Sequence, residues 1–232
     1  MSKIGFIIAM EKEKQALMNL FEDSTCLTIH GINFTKTKYQ EHEIVIALAG
    51  IGKVNAALTT TLLIEHFAPE LIISSGIAGG FDRSLKTLDF VVATSVSYSD
   101  VDAALEGGEL YGQVPGMPFE YKCAYELVKN ALGNESVEDI YYGKVLSGDQ
   151  FVVDYNKTSD IVEKHFSNQN VLAFEMELGA VSQIAYLMNV PVIALKCISD
   201  IIGESNLTDY NTFSYIASSK MAKLVERVLK SI

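Results

Sequence analysis

The chain has 232 residues, 49% apolar and 20% charged, with 29 acidic against 18 basic side chains and a formal charge of −11. That length and apolar share predict a folded chain with a sizeable core and exclude a disordered one. The acidity argues against a nucleic-acid backbone or an anionic membrane surface as partner.

In chain order, 3–10 (KIGFIIAM) predicts a buried strand and 11–21 a helix. Residues 43–50 predict a strand, 53–67 a helix, and 70–80 a strand ending in a glycine-rich turn. Further strands are predicted at 89–100, 141–151, 170–176 and 190–200, and helices at 121–132, near 156–166, at 178–188 and at 210–232. Strands separated by helices imply α/β architecture, a three-layer sandwich with a mixed, mostly parallel central sheet. No linker, repeat or low-complexity segment interrupts it, so one domain over 1–232 is expected. The segment 101–120, VDAALEGGELYGQVPGMPFE, is the longest irregular stretch, and ordered loops of that length are often functional or interfacial.

Cys26, Cys123 and Cys197 are odd in number, widely spaced and without metal spacing, which suggests a reducing compartment. The four histidines are scattered too, so no metal site is expected. The opening MSKIGFIIAMEKEK turns charged too early for a secretory signal, and no apolar run approaches a membrane span. A cytoplasmic protein is the expectation.

In such folds ligands sit past the carboxyl ends of strands. The polar residues predicted there are Glu11 and Glu13, GIG at 50–52, SSGIAGG at 74–80, SGDQF at 147–151, EME at 175–177 and ISD at 198–200. Two carboxylates, Glu175 and Glu177, bracket Met176 where an apolar strand meets an apolar helix. Burying an unpaired carboxylate is costly. Glu177 is read either as a first-turn residue favoured by the helix dipole or as an acceptor for two vicinal hydroxyls, as in a ribose. Asp200 is read either as a turn or cap residue or as a proton donor, with Ser199 able to orient it. Glu13 shares the inward helix face with Leu17, whereas Glu11 and Lys12 look solvated. The glycines of GIG and SGIAGG form neither a P-loop nor a dinucleotide fingerprint and indicate only close backbone approach.

Taken together and in order, KIGFIIAMEKE, GIGKVNAA, SGIAGG, SGDQF, EME and ISD resemble the 5′-methylthioadenosine/S-adenosylhomocysteine nucleosidases, over essentially the whole chain. The resemblance implies a nucleoside phosphorylase-like fold and a cofactor-independent hydrolase that splits the bond between ribose C1′ and adenine N9 of a small nucleoside. It implies Asp200 as the acid at adenine N7 with Ser199 holding it, Glu13 as the base for water, and Glu177 on the ribose hydroxyls beside the Met176 backbone. Glu175 takes a structural or supporting part. Phe151 would stack on adenine and the Val152 backbone read its edge. Met10, Ile51 and Tyr210 match the pocket for the 5′-alkylthio group. A homodimer is implied, with Ala103, Leu105 and Pro115 of the 101–120 loop completing the partner's pocket. Four positions depart from the family pattern: Lys196 replaces arginine, Ile77 a serine, Leu178 a small residue and Ser99 a histidine. Three other readings stand beside this one. A phosphorylase would need a cation cluster, and the chain has only Arg83 and Arg227. The others are a futalosine-type hydrolase and a non-catalytic nucleoside binder.

Overall fold

A computed structural model describes residues 2–104, 108–133, 139–204 and 206–232. Its strands are β1 (Lys3–Ile8), β2 (Ser24–Ile29), β3 (Ile32–Tyr39), β4 (His42–Leu48), β5 (Leu71–Gly80), β6 (Phe90–Tyr98), β7 (Tyr121–Lys122), β8 (Ile140–Ser147), β9 (Val171–Glu175) and β10 (Val192–Ile201). Its helices are α1 (Glu11–Met18), α2 (Lys53–Phe67), α3 (Tyr125–Leu132), α4 (Tyr155–His165), α5 (Leu178–Leu187) and α6 (Asn206–Leu229).

Period-2 alternation in β1 sets the layers. Ile4, Phe6 and Ile8 join one apolar cluster with Leu17 of α1, Val128 of α3 and Val225 of α6. Ile7 faces the other way, into a cluster with Ala56 and Leu63 of α2 and Val181 of α5. Gly5 is glycine because a Cβ there would lie 2.7 Å from Leu63 Cδ2, so β1 and α2 touch backbone to side chain. A third cluster, around Phe166 and Phe174, packs α4 against the far strands.

The sheet departs from the expectation of a mostly parallel layer in a sandwich. Among the described residues, β1 pairs in parallel with β4 and β5, β10 with β5, β6 with β8 and β8 with β9. The pairs β10–β6, β2–β3, β3–β4, β5–β9 and β6–β7 are antiparallel. Because β5 contacts both β9 and β10, the strands β5, β10, β6, β8 and β9 close into a ring. Closure rests on a contact sequence patterns do not reveal: Gly79 and Gly80 at the end of β5 pair with Phe174 and Ala173 of β9. On its other side, a Cβ at Gly80 would come within 2.9 Å of Ile201 Cδ1, so glycine makes room for the β10 side chains.

The β2–β3 hairpin was not expected. Its outward residues are polar, which hides the strand period, and its turn is His30–Gly31, both at positive φ. The predicted start of a helix at 121 is instead β7, and the helix begins at Tyr125.

Candidate active site

A cleft of about 790 Å³, counting its open mouth, lies where β1, β5, β9 and β10 end. Met10, Glu13, Ile51, Ile77, Phe151, Val152, Met176, Glu177, Lys196, Ser199, Asp200 and Tyr210 all line it. Ala103 and Pro115 do not line this chain's cleft, and Leu105 falls outside the described residues.

Glu13 is in the first turn of α1. Its Oε2 accepts from the Met10 N–H at 2.9 Å, which caps the helix, and its Oε1 accepts from the Ile77 N–H at 3.0 Å. Gly76 makes room: a Cβ there would lie 2.7 Å from Glu13 Oε1. The SGIAGG glycines therefore sit within β5, and Gly76 admits a carboxylate rather than a phosphate. Burial raises the Glu13 pKa against the opposing pull of Lys196 and the two backbone N–H groups.

The two glutamates of EME separate cleanly. Glu175 ends β9 and takes the helix-capping part: it accepts from the Leu178 N–H at 2.9 Å on both oxygens and from the Glu177 N–H at 3.1 Å. It also accepts from Lys196 Nζ at 3.0 Å. Glu177 is the residue preceding α5, yet its side chain makes no capping bond. Its Oε1 accepts from the Gly52 N–H at 2.8 Å across the cleft. Burial first, then the Glu175 charge, push its pKa up to about 7. Gly52 has φ 99° and ψ 160°, a conformation essentially restricted to glycine, which aims its N–H at Glu177.

Lys196, on β10, is buried among carboxylates. Burial disfavours its charge, but Glu175, Glu177 and Glu13 outweigh it, and its pKa is raised. The position that resembles an arginine site thus holds a single ammonium bonded to Glu175.

Ser199 and Asp200 are sequence neighbours, and neighbours on a regular strand face opposite ways. The β10–β5 register shifts between Ile198 and Asp200, and this bulge lets both residues line the cleft. Ser199 Oγ donates to Asp200 Oδ1 at 2.6 Å, and Asp200 is 2% exposed.

Around the mouth, Phe151 is 49% exposed and meets Tyr210 edge-on at 5.4 Å between ring centres. The Tyr210 hydroxyl donates to Met10 Sδ at 3.4 Å. The loops after β4, β6 and β8 are tied by Lys53, whose ammonium bonds both Asp100 oxygens at 2.8 Å and whose N–H bonds Asp149 at 2.8 Å. That tie holds Gly52 opposite Glu177.

Ser75, Gln150, Phe174 and Ile202 also line the cleft, with no individual role assigned to them from the sequence. Ser75 lies within SSGIAGG, Gln150 lies within SGDQF and Phe174 immediately precedes EME, so these motifs carry the signal for all three. No local signal marks Ile202. Lys12, expected in solvent, instead has its ammonium 3.2 Å from the Tyr210 hydroxyl and 4.3 Å from the centre of that ring.

A profile of the phosphorylase superfamily matches residues 3–230. The chain is 36% identical over 233 residues to the 5′-methylthioadenosine/S-adenosylhomocysteine nucleosidase of Bacillus cytotoxicus, covering 99% of each. It superposes with a TM-score of 0.92 on the nucleosidase of that name from Neisseria meningitidis in complex with methylthio-immucillin-A, at 30% identity and 100% of both chains. A futalosine hydrolase mutant of Helicobacter pylori is similar at a TM-score of 0.92 and 28% identity, again over 100% of both chains.

Proposed function

The chain belongs to the 5′-methylthioadenosine/S-adenosylhomocysteine nucleosidases of the phosphorylase superfamily, and on that premise we propose that it hydrolyses the N-glycosidic bond of both nucleosides, releasing adenine and the 5′-thioribose. One observation carries the reading: Glu13 of α1, Glu177 just before α5 and Asp200 of β10 converge as buried carboxylates on one cleft.

Each has a separate task. As the C1′–N9 bond lengthens, its electron pair passes to the base and the Asp200 carboxyl delivers a proton to N7, with Ser199 holding the carboxyl in place. Positive charge builds on the ribose as an oxocarbenium ion. Glu177, fixed by the Gly52 N–H, accepts from the 2′- and 3′-hydroxyls and lies near that charge. Water adds to C1′ and its proton goes to Glu13, whose carboxylate is held at that spot by the Met10 and Ile77 N–H groups. Phe151 stacks on adenine beside Val152 and Met176, and Met10, Ile51, Ile77 and Tyr210 surround the 5′ substituent. Lys196 keeps Glu175 on the α5 N-terminus and so orients Glu177.

The reading extends to a single domain over 1–232 acting as a cytoplasmic homodimer in nucleoside catabolism and methionine salvage. Support for a second copy comes from Val54 and Leu58, exposed apolar residues one turn apart on α2, with Val54 80% exposed and the half-exposed Ile51 just before the helix. Ala103, Leu105 and Pro115 would close the partner's cleft.

The test is adenine release from 5′-methylthioadenosine and S-adenosylhomocysteine, in buffer with and without phosphate. Adenine with free thioribose and no phosphate requirement is the expected result. No adenine from either substrate, together with turnover of futalosine, would favour the second reading, which the likeness to the futalosine hydrolase supports.

A further inference from the structure

Lys12 is placed where local energetics disfavour it. It occupies the first turn of α1, whose N-terminal dipole end repels a cation and whose other first-turn charges, Glu11 and Glu13, have the favoured sign. Among the described residues no carboxylate lies within ion-pair distance of its ammonium. The ammonium rests instead on aromatic rings, 4.3 Å from the centre of Tyr210 and 5.6 Å from that of Tyr215, and donates to the Tyr210 hydroxyl at 3.2 Å. Two rings leave part of the ammonium open to other acceptors, since it has three protons to donate. Tyr210 and its partner Met10 line the cleft, so this cation stands beside the end of the cleft assigned above to the 5′ substituent.

The rest of the cleft is hostile to an anion. Glu13, Glu175, Glu177 and Asp200 line it against one lysine, Lys196, which is already bonded to Glu175. A carboxylate on the 5′ chain is therefore disfavoured along the acidic inner wall and meets an ammonium with open donor capacity at Lys12. 5′-Methylthioadenosine ends in a neutral methyl group, whereas the 5′ chain of S-adenosylhomocysteine ends in an amino acid.

We infer that Lys12 is a specificity-determining residue that receives the carboxylate of an amino-acid-bearing 5′ substituent at the mouth of the cleft. The inference rests on the proposed nucleosidase reading and adds to it the group that distinguishes the two substrates.

The experiment measures kcat/KM for both nucleosides with wild type, Lys12→Met and Lys12→Arg. Methionine keeps an unbranched apolar stem against Tyr210 and removes the charge. The ratio of S-adenosylhomocysteine to methylthioadenosine kcat/KM should fall about three- to fivefold in Lys12→Met, the size of a partly screened charge pair. It should be restored in Lys12→Arg. In wild type alone, raising ionic strength should lower the same ratio. A ratio unchanged in Lys12→Met, with both substrates slowed equally, would assign Lys12 to supporting Tyr210 and overturn the inference by itself. A wild type that turns over neither nucleoside overturns the parent reading and this one together.

Discussion

Two lysines in this molecule are buried against glutamates, and they do different things. Lys144, on β8, bonds Ser97 Oγ at 2.9 Å and Glu120 Oε2 at 2.6 Å. Glu120 also accepts from Ser95 at 3.0 Å and from Lys122. That group has more cations than carboxylates, and its role is to tie the end of the 101–120 segment to the sheet. Burial works against the Glu120 charge, but the bonds from Lys122 and Lys144 prevail and bring its pKa down to about 2. Lys196 is the reverse: one ammonium among Glu13, Glu175 and Glu177. There the surplus is negative, and Glu177 moves up to about 7. A structural ion pair is satisfied internally, whereas a site retains acceptors that only a ligand can fill.

The comparison can be tested most sharply at Asp200. Asp200→Asn keeps the shape of the side chain and removes its titratable proton. Adenine release should fall by about 100-fold or more, while nucleoside binding by calorimetry changes far less. An equally active variant would remove Asp200 from the reaction.

Stability separates the two lysines next. Lys196→Met strands Glu175 in a buried setting and should cost about 3–5 kcal/mol of unfolding free energy in urea titration. Lys144→Met should cost less, about 1–2 kcal/mol, because Glu120 keeps Lys122, Ser95 and some contact with water. The Lys144 variant should also retain wild-type kcat. Equal losses would show that the charge surplus around Lys196 has no special consequence.

The smallest effect is in pH dependence, where the two glutamates should have opposite signs. Glu120 has a folded-state pKa below the 4.5 of the free side chain, so its stabilisation is present above about pH 4.5 and is lost as pH falls toward 2. Glu177 has a folded-state pKa above 4.5. The native protein then holds a proton that the unfolded chain has shed, so its contribution is greatest below about 4.5 and is lost as pH rises through 7. Glu120→Gln should flatten the acid limb of the stability curve and Glu177→Gln the limb approaching neutrality, each read as a thermal midpoint across pH. If both substitutions alter the same limb, the assignment of opposite environments fails.

Much of this was legible beforehand, for reasons that can be traced. The apolar run KIGFII and the 3.6-residue periods of α4 and α6 are local, so those elements follow from short windows. Carboxylates just past apolar strands were visible as an anomaly because burial penalises them. The β2–β3 hairpin was missed because its polar faces mask the strand period. The division of labour in EME is illegible for a different reason: both glutamates lie at the end of the same strand, and only the positions of Lys196 and Gly52, 21 and 125 residues away, decide which one caps the helix and which one crosses the cleft.

By itself the sequence determined the α/β class, most element positions and the candidate carboxylates, because these depend on periodicity and on the cost of burying charge near each residue. The tertiary structure decided ring closure through Gly79 and Gly80, the bulge that turns Ser199 and Asp200 into one cleft, and the seat of Lys12 on Tyr210. Each of these is a contact between distant segments whose register is chosen by packing of the whole core, and no local propensity encodes that choice.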